Sequence, residues 1–240
     1  MSRPKALIAW SSGKDSAWAL HEMRRAGDHD IVGALTTVTE TFGRVSMHGV
    51  RQELLMAQLA AAELPPTLVR IPFPCPNEVY EARMAAALAD AKKVGVTHVV
   101  FGDLFLEDVR KYREQKLAGT GITPLFPLWR RPTLELAREM IEAGVETYLT
   151  CVDLKQLAKR FAGRRLDHAL LAELPAGVDP CGEKGEFHTF VAAGPMLNGK
   201  IPVAVGETIE RDGFAYADLV PDRMVPGPAS KAVMSAKAGG

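Results

Sequence analysis

Two stretches of this sequence combine residue types that could do chemistry. The first is Trp10-Ser11-Ser12-Gly13-Lys14-Asp15-Ser16. Small residues let a backbone approach a ligand closely, successive N–H groups can converge on one anion, and a helix starting here would add its partial positive charge. Lys14 would bridge phosphate oxygens as a mobile point charge, with Ser12 and Ser16 offering hydroxyl donors. The spacing is not that of a Walker A loop, which needs glycine where Ile8 stands and serine or threonine where Asp15 stands. The plainer alternative is a strand-to-helix turn with Asp15 as a cap. Its place after a strand-like run and before a helix-like one favours the phosphate reading.

The second stretch is Asp179-Pro180-Cys181-Gly182-Glu183-Lys184-Gly185-Glu186-Phe187-His188-Thr189-Phe190. Gly182 and Gly185 permit a tight loop that would present Glu183 and Glu186 to one site. Alternation into the following strand would send Glu186 and His188 to one face, Phe187 and Thr189 to the other. Such a group can bind a cation, accept from an ammonium, or move protons. Taken alone, Gly-Glu-Lys-Gly reads as the charged tip of a solvated hairpin.

The elements that must position these residues follow from apolar patterning. Strand-like runs at Ala6 to Trp10, Ile31 to Val38, Leu68 to Phe73 and His98 to Phe101 alternate with helical stretches. After Gly49, Val50, Leu54, Ala57 and Ala61 share one face; after Asn77, a plausible N-cap, Tyr80, Met84, Leu88 and Ala91 do the same. This alternation predicts an α/β fold with a doubly wound parallel sheet. Gly102 and Asp103 then fall at a strand's carboxyl end, where such sheets bind ligands, which makes Asp103 a second candidate for metal or nucleotide. Pro65-Pro66 and Pro72 to Pro76 read as loops. Pro124 to Pro132 reads as a domain boundary, dividing residues 1–130 from a smaller α+β domain at 131–226. There the pattern predicts a helix from Thr133 to Gly144, a strand from Val145 to Val152, a short helix near Lys155, and strands from Phe187 to Val220. Residues 227–240 read as a disordered tail.

Composition narrows the function class. Lysine plus arginine and aspartate plus glutamate number 29 each, which gives no reason to expect a polyanionic partner such as tRNA. Cys75, Cys151 and Cys181 form no Cys-x-x-Cys pair, so neither a zinc site nor a disulfide framework is expected, and Cys181 reads as a loop or buried thiol. No run approaches the roughly 18 apolar residues of a membrane span, and no secretory segment precedes the first strand, so a cytoplasmic protein is expected. His48 has two readings, a cap and a substrate contact. The basic run Arg110-Lys111-Tyr112-Arg113 has two as well, a solvated helix face and an anion clamp near the cleft.

Ser11-Ser12-Gly13-Lys14-Asp15-Ser16 closely resembles the PP-loop Ser-Gly-Gly-x-Asp-Ser of ATP pyrophosphatases, with Ser12 in place of the first loop glycine. Pro180-Cys181-Gly182-Glu183-Lys184-Gly185-Glu186-Phe187-His188-Thr189 resembles the signature of the diphthine–ammonia ligase (diphthamide synthase) family. The likeness extends to Phe101-Gly102-Asp103, Pro127-Leu128-Trp129 and Met47-His48, with Leu104 where the family pattern has isoleucine. It implies a HUP-like (adenine nucleotide alpha hydrolase) core and MgATP as cofactor. Ser11, Ser12, Gly13, Lys14, Asp15, Ser16 and Gly102 would bind ATP, Asp15 and Asp103 would hold Mg2+, and Lys14, Asp103, Glu183, Glu186 and His188 would be catalytic. The chemistry implied is attack of a substrate carboxylate on the α-phosphate, release of pyrophosphate from an acyl-adenylate, and displacement of AMP by ammonia.

The family makes diphthamide on elongation factor 2, but this chain resembles its bacterial branch, and bacteria are not expected to make diphthamide. The carboxylate acceptor, protein or small molecule, therefore stays open, as does homo-oligomerisation, while free ammonia is the simpler nitrogen source. Two rivals remain: a nucleotide sensor without turnover, and a tRNA-modifying PP-loop enzyme, which would carry a basic surface and paired cysteines.

Overall fold

The computed structural model describes residues 2–222, so the tail expected at 227–240 lies outside the described residues. Among the described residues, six strands form the main sheet: β1 (Lys5–Ala9), β2 (Asp30–Thr39), β3 (Arg44–Val45), β4 (Pro66–Ile71), β5 (Val96–Val100) and β6 (Thr123–Leu125). All pairs are parallel except β2 with β3. The ten-residue β2 lies along β1 over its first half and along β4 over its second, with β5 and β6 on the far side of β1. The chain therefore winds outward on one side of β1 and then returns to start again on the other. That reversal makes the carboxyl ends of β1 and β5 a topological switch point.

Helices α1 (Lys14–Ala26) and α2 (Gln52–Ala61) cover one face, α3 (Asn77–Lys93) and α4 (Glu107–Leu117) the other. β1 is apolar on both sides because both its faces are covered: Ala6 and Ile8 join one core, Leu7 the opposite one. α1 ends at Gly27 in the left-handed conformation, whose N–H donates to the Met23 carbonyl at 3.1 Å. This is the doubly wound parallel sheet that the sequence pattern predicts.

Beyond α5 (Thr133–Glu142), a smaller antiparallel sheet forms in the order β8-β7-β10-β9, from β7 (Glu146–Asp153), β8 (Phe187–Ala193), β9 (Val203–Arg211) and β10 (Phe214–Pro221). Its β8 face packs into the same core as α1 and α5, with Phe190, Val191 and Ala192 beside Trp18, Leu20 and Leu136. Among the described residues no helix is long and apolar enough to cross a membrane.

Several local expectations need correction. Pro66 opens β4 rather than a loop; it is the first strand residue, where a missing N–H breaks no ladder, and Ala34 N–H bonds the Pro65 carbonyl at 2.9 Å. Pro124 lies inside β6, so the parallel sheet runs into the segment read as a boundary. Asn77 is not the N-cap: Pro76 holds that position, and the Asn77 amide reaches Glu81 at 2.8 Å. No helix forms at Lys155, because the Asp153 carboxylate captures Lys155 N–H and the Gln156 amide, both at 2.9 Å. A 3-10 turn follows at Lys159–Phe161, and α6 (His168–Glu173), capped by Asp167, forms where the pattern predicts no helix.

Candidate active site

The loop after β1 turns into α1 through Ser12, whose φ of 70° lies in the region that favours glycine. Two donors hold that conformation at the Ser12 carbonyl: Val191 N–H and the Gln58 amide, both at 3.0 Å. The Ser12 side chain is fully buried and its hydroxyl has no partner. Ser16 Oγ donates to the Gly13 carbonyl at 3.0 Å and accepts from Ser11 N–H at 3.3 Å, closing the turn on itself. Gly13, the N-cap, has no side chain to offer, and the α1 cap comes from far along the chain: Lys14 N–H donates to Thr189 Oγ1 at 3.1 Å.

A polar cleft of about 240 Å³ opens at the carboxyl ends of β1 and β5. Ser11 enters it from the loop, Lys14, Asp15 and Ser16 from the first turn of α1, Gly102 and Asp103 from the segment after β5, and Glu183 and His188 from the second motif. Lys14 is 2% exposed; its ammonium donates to both Asp15 oxygens, at 3.0 and 2.8 Å, and to the Cys181 carbonyl. Burial works against that charge, but Asp15 and the other acidic groups of the cleft outweigh it and hold Lys14 above its ordinary range. Burial raises Asp15, with Lys14 opposing.

Glu183 Oε1 accepts from Leu104 N–H at 2.7 Å and Phe105 N–H at 3.3 Å. Burial pushes its carboxyl up to about 7; Asp15 and Asp103 add to this against the two N–H donors. Asp103 is gripped by Arg113, with Nε to Oδ2 at 2.5 Å and Nη2 to Oδ1 at 3.0 Å. The Leu104 carbonyl accepts from Arg130 N–H at 2.6 Å, so the Pro127-Leu128-Trp129 turn braces the loop that carries Asp103.

Glu186 is not brought to the cleft. Its fully buried carboxylate accepts from Asp179 N–H at 2.8 Å and Lys184 N–H at 2.9 Å, tying the two ends of the motif's own loop together. Nor do Ser12 and Gly13 line the cleft; they shape it from behind. The expected alternation fails at its start, since Phe187, His188 and Thr189 all border the cleft.

His48 is a cleft residue and not a cap. Its Nδ1 lies 2.8 Å from the Thr189 carbonyl, an acceptor only, so Nδ1 carries the proton and Nε2 keeps its lone pair. Its ring centre is 4.8 Å from that of His188. Burial lowers His48 to about 3, assisted by His188, and His188 to about 4, assisted by Lys14, so both imidazoles are neutral at pH 7. Cys181 is buried, its thiol pushed well up by burial and donating to the Thr133 carbonyl at 3.3 Å, which disfavours the thiolate. The basic run divides: Arg113 borders the cleft, while Arg110 packs 4.7 Å from both the Phe126 and Trp129 ring centres.

The donor set fits magnesium with a nucleotide. Mg2+ takes one or two protein carboxylates and completes its shell with phosphates and water, and the cleft offers Asp15, shared with Lys14, and Asp103, shared with Arg113. Among the described residues no group of three or more His, Cys, Asp or Glu could hold a metal by itself.

Sequence reasoning missed Thr189 as the α1 cap, the Cys181 carbonyl as the Lys14 acceptor, and Arg113 as the partner of Asp103. In each case the partner is a distant backbone group or a residue read only in general terms.

Residues 132–218 match the family model of the diphthamide synthase C-terminal domain, a span running from the start of α5 into β10 and containing the second motif. Among curated proteins, the zebrafish (Danio rerio) diphthine–ammonia ligase is 34% identical over 121 residues, covering 48% of this chain and 47% of that protein. The human (Homo sapiens) one is 31% identical over 120 residues, covering 48% and 45%. The matched region thus spans about half the length of these curated relatives. The motif, its domain and these relatives agree: residues 132–218 carry a diphthamide synthase C-terminal domain, and the chain is similar to diphthine–ammonia ligases over about half its length.

Proposed function

We propose that this protein is an ATP-dependent, AMP-forming carbon–nitrogen ligase. ATP binds at the loop after β1, a substrate carboxylate attacks its α-phosphate with loss of pyrophosphate, and ammonia displaces AMP to leave an amide. The observation that carries the reading is the meeting of Lys14, Asp15, Asp103 and Glu183 in one cleft at the switch point of the sheet. The names of the curated relatives point the same way.

The chain's own groups divide the work. The first turn of α1 and the Lys14 ammonium meet phosphate charge; Thr189 and the Cys181 carbonyl fix their positions, and the two Lys14 N–H groups held by Asp15 are the ones that turn to phosphate. Asp15, with Asp103, would hold Mg2+, which supplies Lewis-acid charge at the phosphates. Glu183, with a carboxyl near 7, is matched to taking a proton from ammonium at neutral pH. The neutral imidazoles of His48 and His188 present acceptor nitrogens without adding positive charge that would repel ammonium.

The test is incubation with Mg2+, α-labelled ATP, ammonium and a pool of candidate carboxylates, resolving AMP from ADP. Ammonium-dependent AMP and pyrophosphate are expected, reduced at least about 100-fold by Lys14→Ala or Asp15→Ala. ADP alone, or ATP binding without turnover across the pool, overturns the reading.

A further inference from the structure

Between α3 and α4 lies a second cavity, larger than the polar cleft and of opposite character. It is a groove of about 420 Å³, walled by Tyr80, Met84 and Leu88 of α3 and by Tyr112 and Leu117 of α4, with Ile122 behind. α3 runs for 17 residues yet fully buries only Ala91, so its apolar stripe of Tyr80, Met84 and Leu88 is half covered along the groove. Size and lining suit the apolar body of a small molecule.

Two residues, Phe101 and Arg113, border both this groove and the polar cleft. The Arg113 guanidinium lies over Phe101, 4.3 Å from its ring centre, and gives Asp103 two of its five N–H groups. The groove is also cationic. Lys92, Arg113 and Lys116 border it against two carboxylates, Glu81, which Lys116 approaches to 2.7 Å, and Asp103, which Arg113 grips from the cleft side, leaving a net positive charge. An apolar channel with excess positive charge, joined to a phosphate cleft at an arginine, has the chemistry to recognise an apolar anion.

The geometry points to the groove as the acceptor subsite. A small carboxylic acid with an aromatic or branched apolar body lies between α3 and α4, its carboxylate on Arg113 at the border of the nucleotide cleft. The assignment rests on the adenylylation reading above, which requires a carboxylate there.

The test uses the whole chain with methyl-labelled methionine and three acids, phenylacetate, 3-phenylpropionate and 4-methylpentanoate, each beside its primary amide. The acids should move the Met84 methyl resonance at millimolar concentration and the amides should bind at least about tenfold more weakly. Met84→Trp should abolish binding with ATP affinity unchanged; Ala85→Leu, on the exposed rim of the groove, serves if the tryptophan variant fails to fold. No response of Met84 to any acid, equal binding of acids and amides, or AMP release from an acid that both variants leave unchanged would overturn the assignment. A Met84 response without AMP release from any acid would instead sink the adenylylation reading and leave the carboxylate-binding groove standing.

Discussion

Glu183 is the group whose proton the cleft controls most directly, and it gives a pH signature. Its folded value of about 7 stands above the ordinary 4.5, so the folded protein binds more protons than the unfolded chain between those values. Its contribution to stability is complete below about pH 4.5 and lost as pH rises through 7. Allowing for screening at a partly exposed group, the loss is roughly 2 kcal/mol. His48 and His188 act oppositely: lowered to about 3 and 4, they add stability as pH rises towards the ordinary 6.5. The net slope therefore mixes both, and the Glu183 share is read by difference. Glu183→Gln keeps an acceptor for Leu104 N–H and removes the titration. Thermal unfolding at pH 5 and pH 8 should show the variant gaining relative to wild type at the higher pH; parallel curves would mean that Glu183 is not raised. If Glu183 is the proton acceptor for ammonium, the same variant also loses amide formation by about 100-fold or more with ATP affinity retained, measured by single-turnover product release.

At the scale of elements, the question is what holds α1 at the right place for an anion. Thr189 Oγ1, on β8, caps it 175 residues away. Thr189→Val leaves the Lys14 N–H without its acceptor, which should cost about 1 kcal/mol of stability and weaken ATP binding, while Thr189→Ser restores both. Calorimetric titration with ATP checks this, and equal affinity in the valine variant would refute the cap's role. Gly102 answers the same question from just beyond β5. A Cβ there would sit 2.7 Å from the Asp15 carbonyl carbon and 2.8 Å from its oxygen, backbone atoms with nowhere to go. Gly102→Ala is expected to destabilise by roughly 1–3 kcal/mol and to displace Asp15, read as lowered melting temperature together with weakened ATP binding. These contacts also explain what the sequence could reveal. The loop between β1 and α1, the half-buried stripe of α3 and the place of Asp103 were legible because their signals are local: spacing, periodicity and small residues at a strand's end. The inward turn of Glu186 was not, since its partners are the N–H groups of Asp179 and Lys184, and a backbone donor carries no residue identity. The same holds for His48 on the Thr189 carbonyl.

At the scale of the whole molecule, the sequence suggests two units divided near residue 130, and two sheets do lie on either side of that point. The hydrophobic core does not divide there. Phe190, Val191 and Ala192 from the second sheet belong to the same core as Trp18, Leu20 and Met23 of α1 and Leu136 and Met140 of α5. Polar ties cross as well: Val191 N–H to the Ser12 carbonyl, and Arg44 and Arg51 onto Asp218 of β10 at 2.8 and 2.6 Å. A core shared in this way makes unfolding cooperative, because neither side can lose its packing without exposing the other's apolar surface. The chain is therefore expected to melt in one calorimetric transition, with van't Hoff and calorimetric enthalpies equal. A fragment of residues 1–130 should lack that transition and bind hydrophobic dyes, since it retains α1 but loses the β8 residues that cover it and the hydroxyl that caps it. Two resolved transitions, or an ATP-binding 1–130 fragment with dispersed amide resonances, would show that the phosphate loop needs nothing from the second sheet. The dependence runs the other way: the second motif builds the loop's shape as well as supplying Glu183 to the cleft.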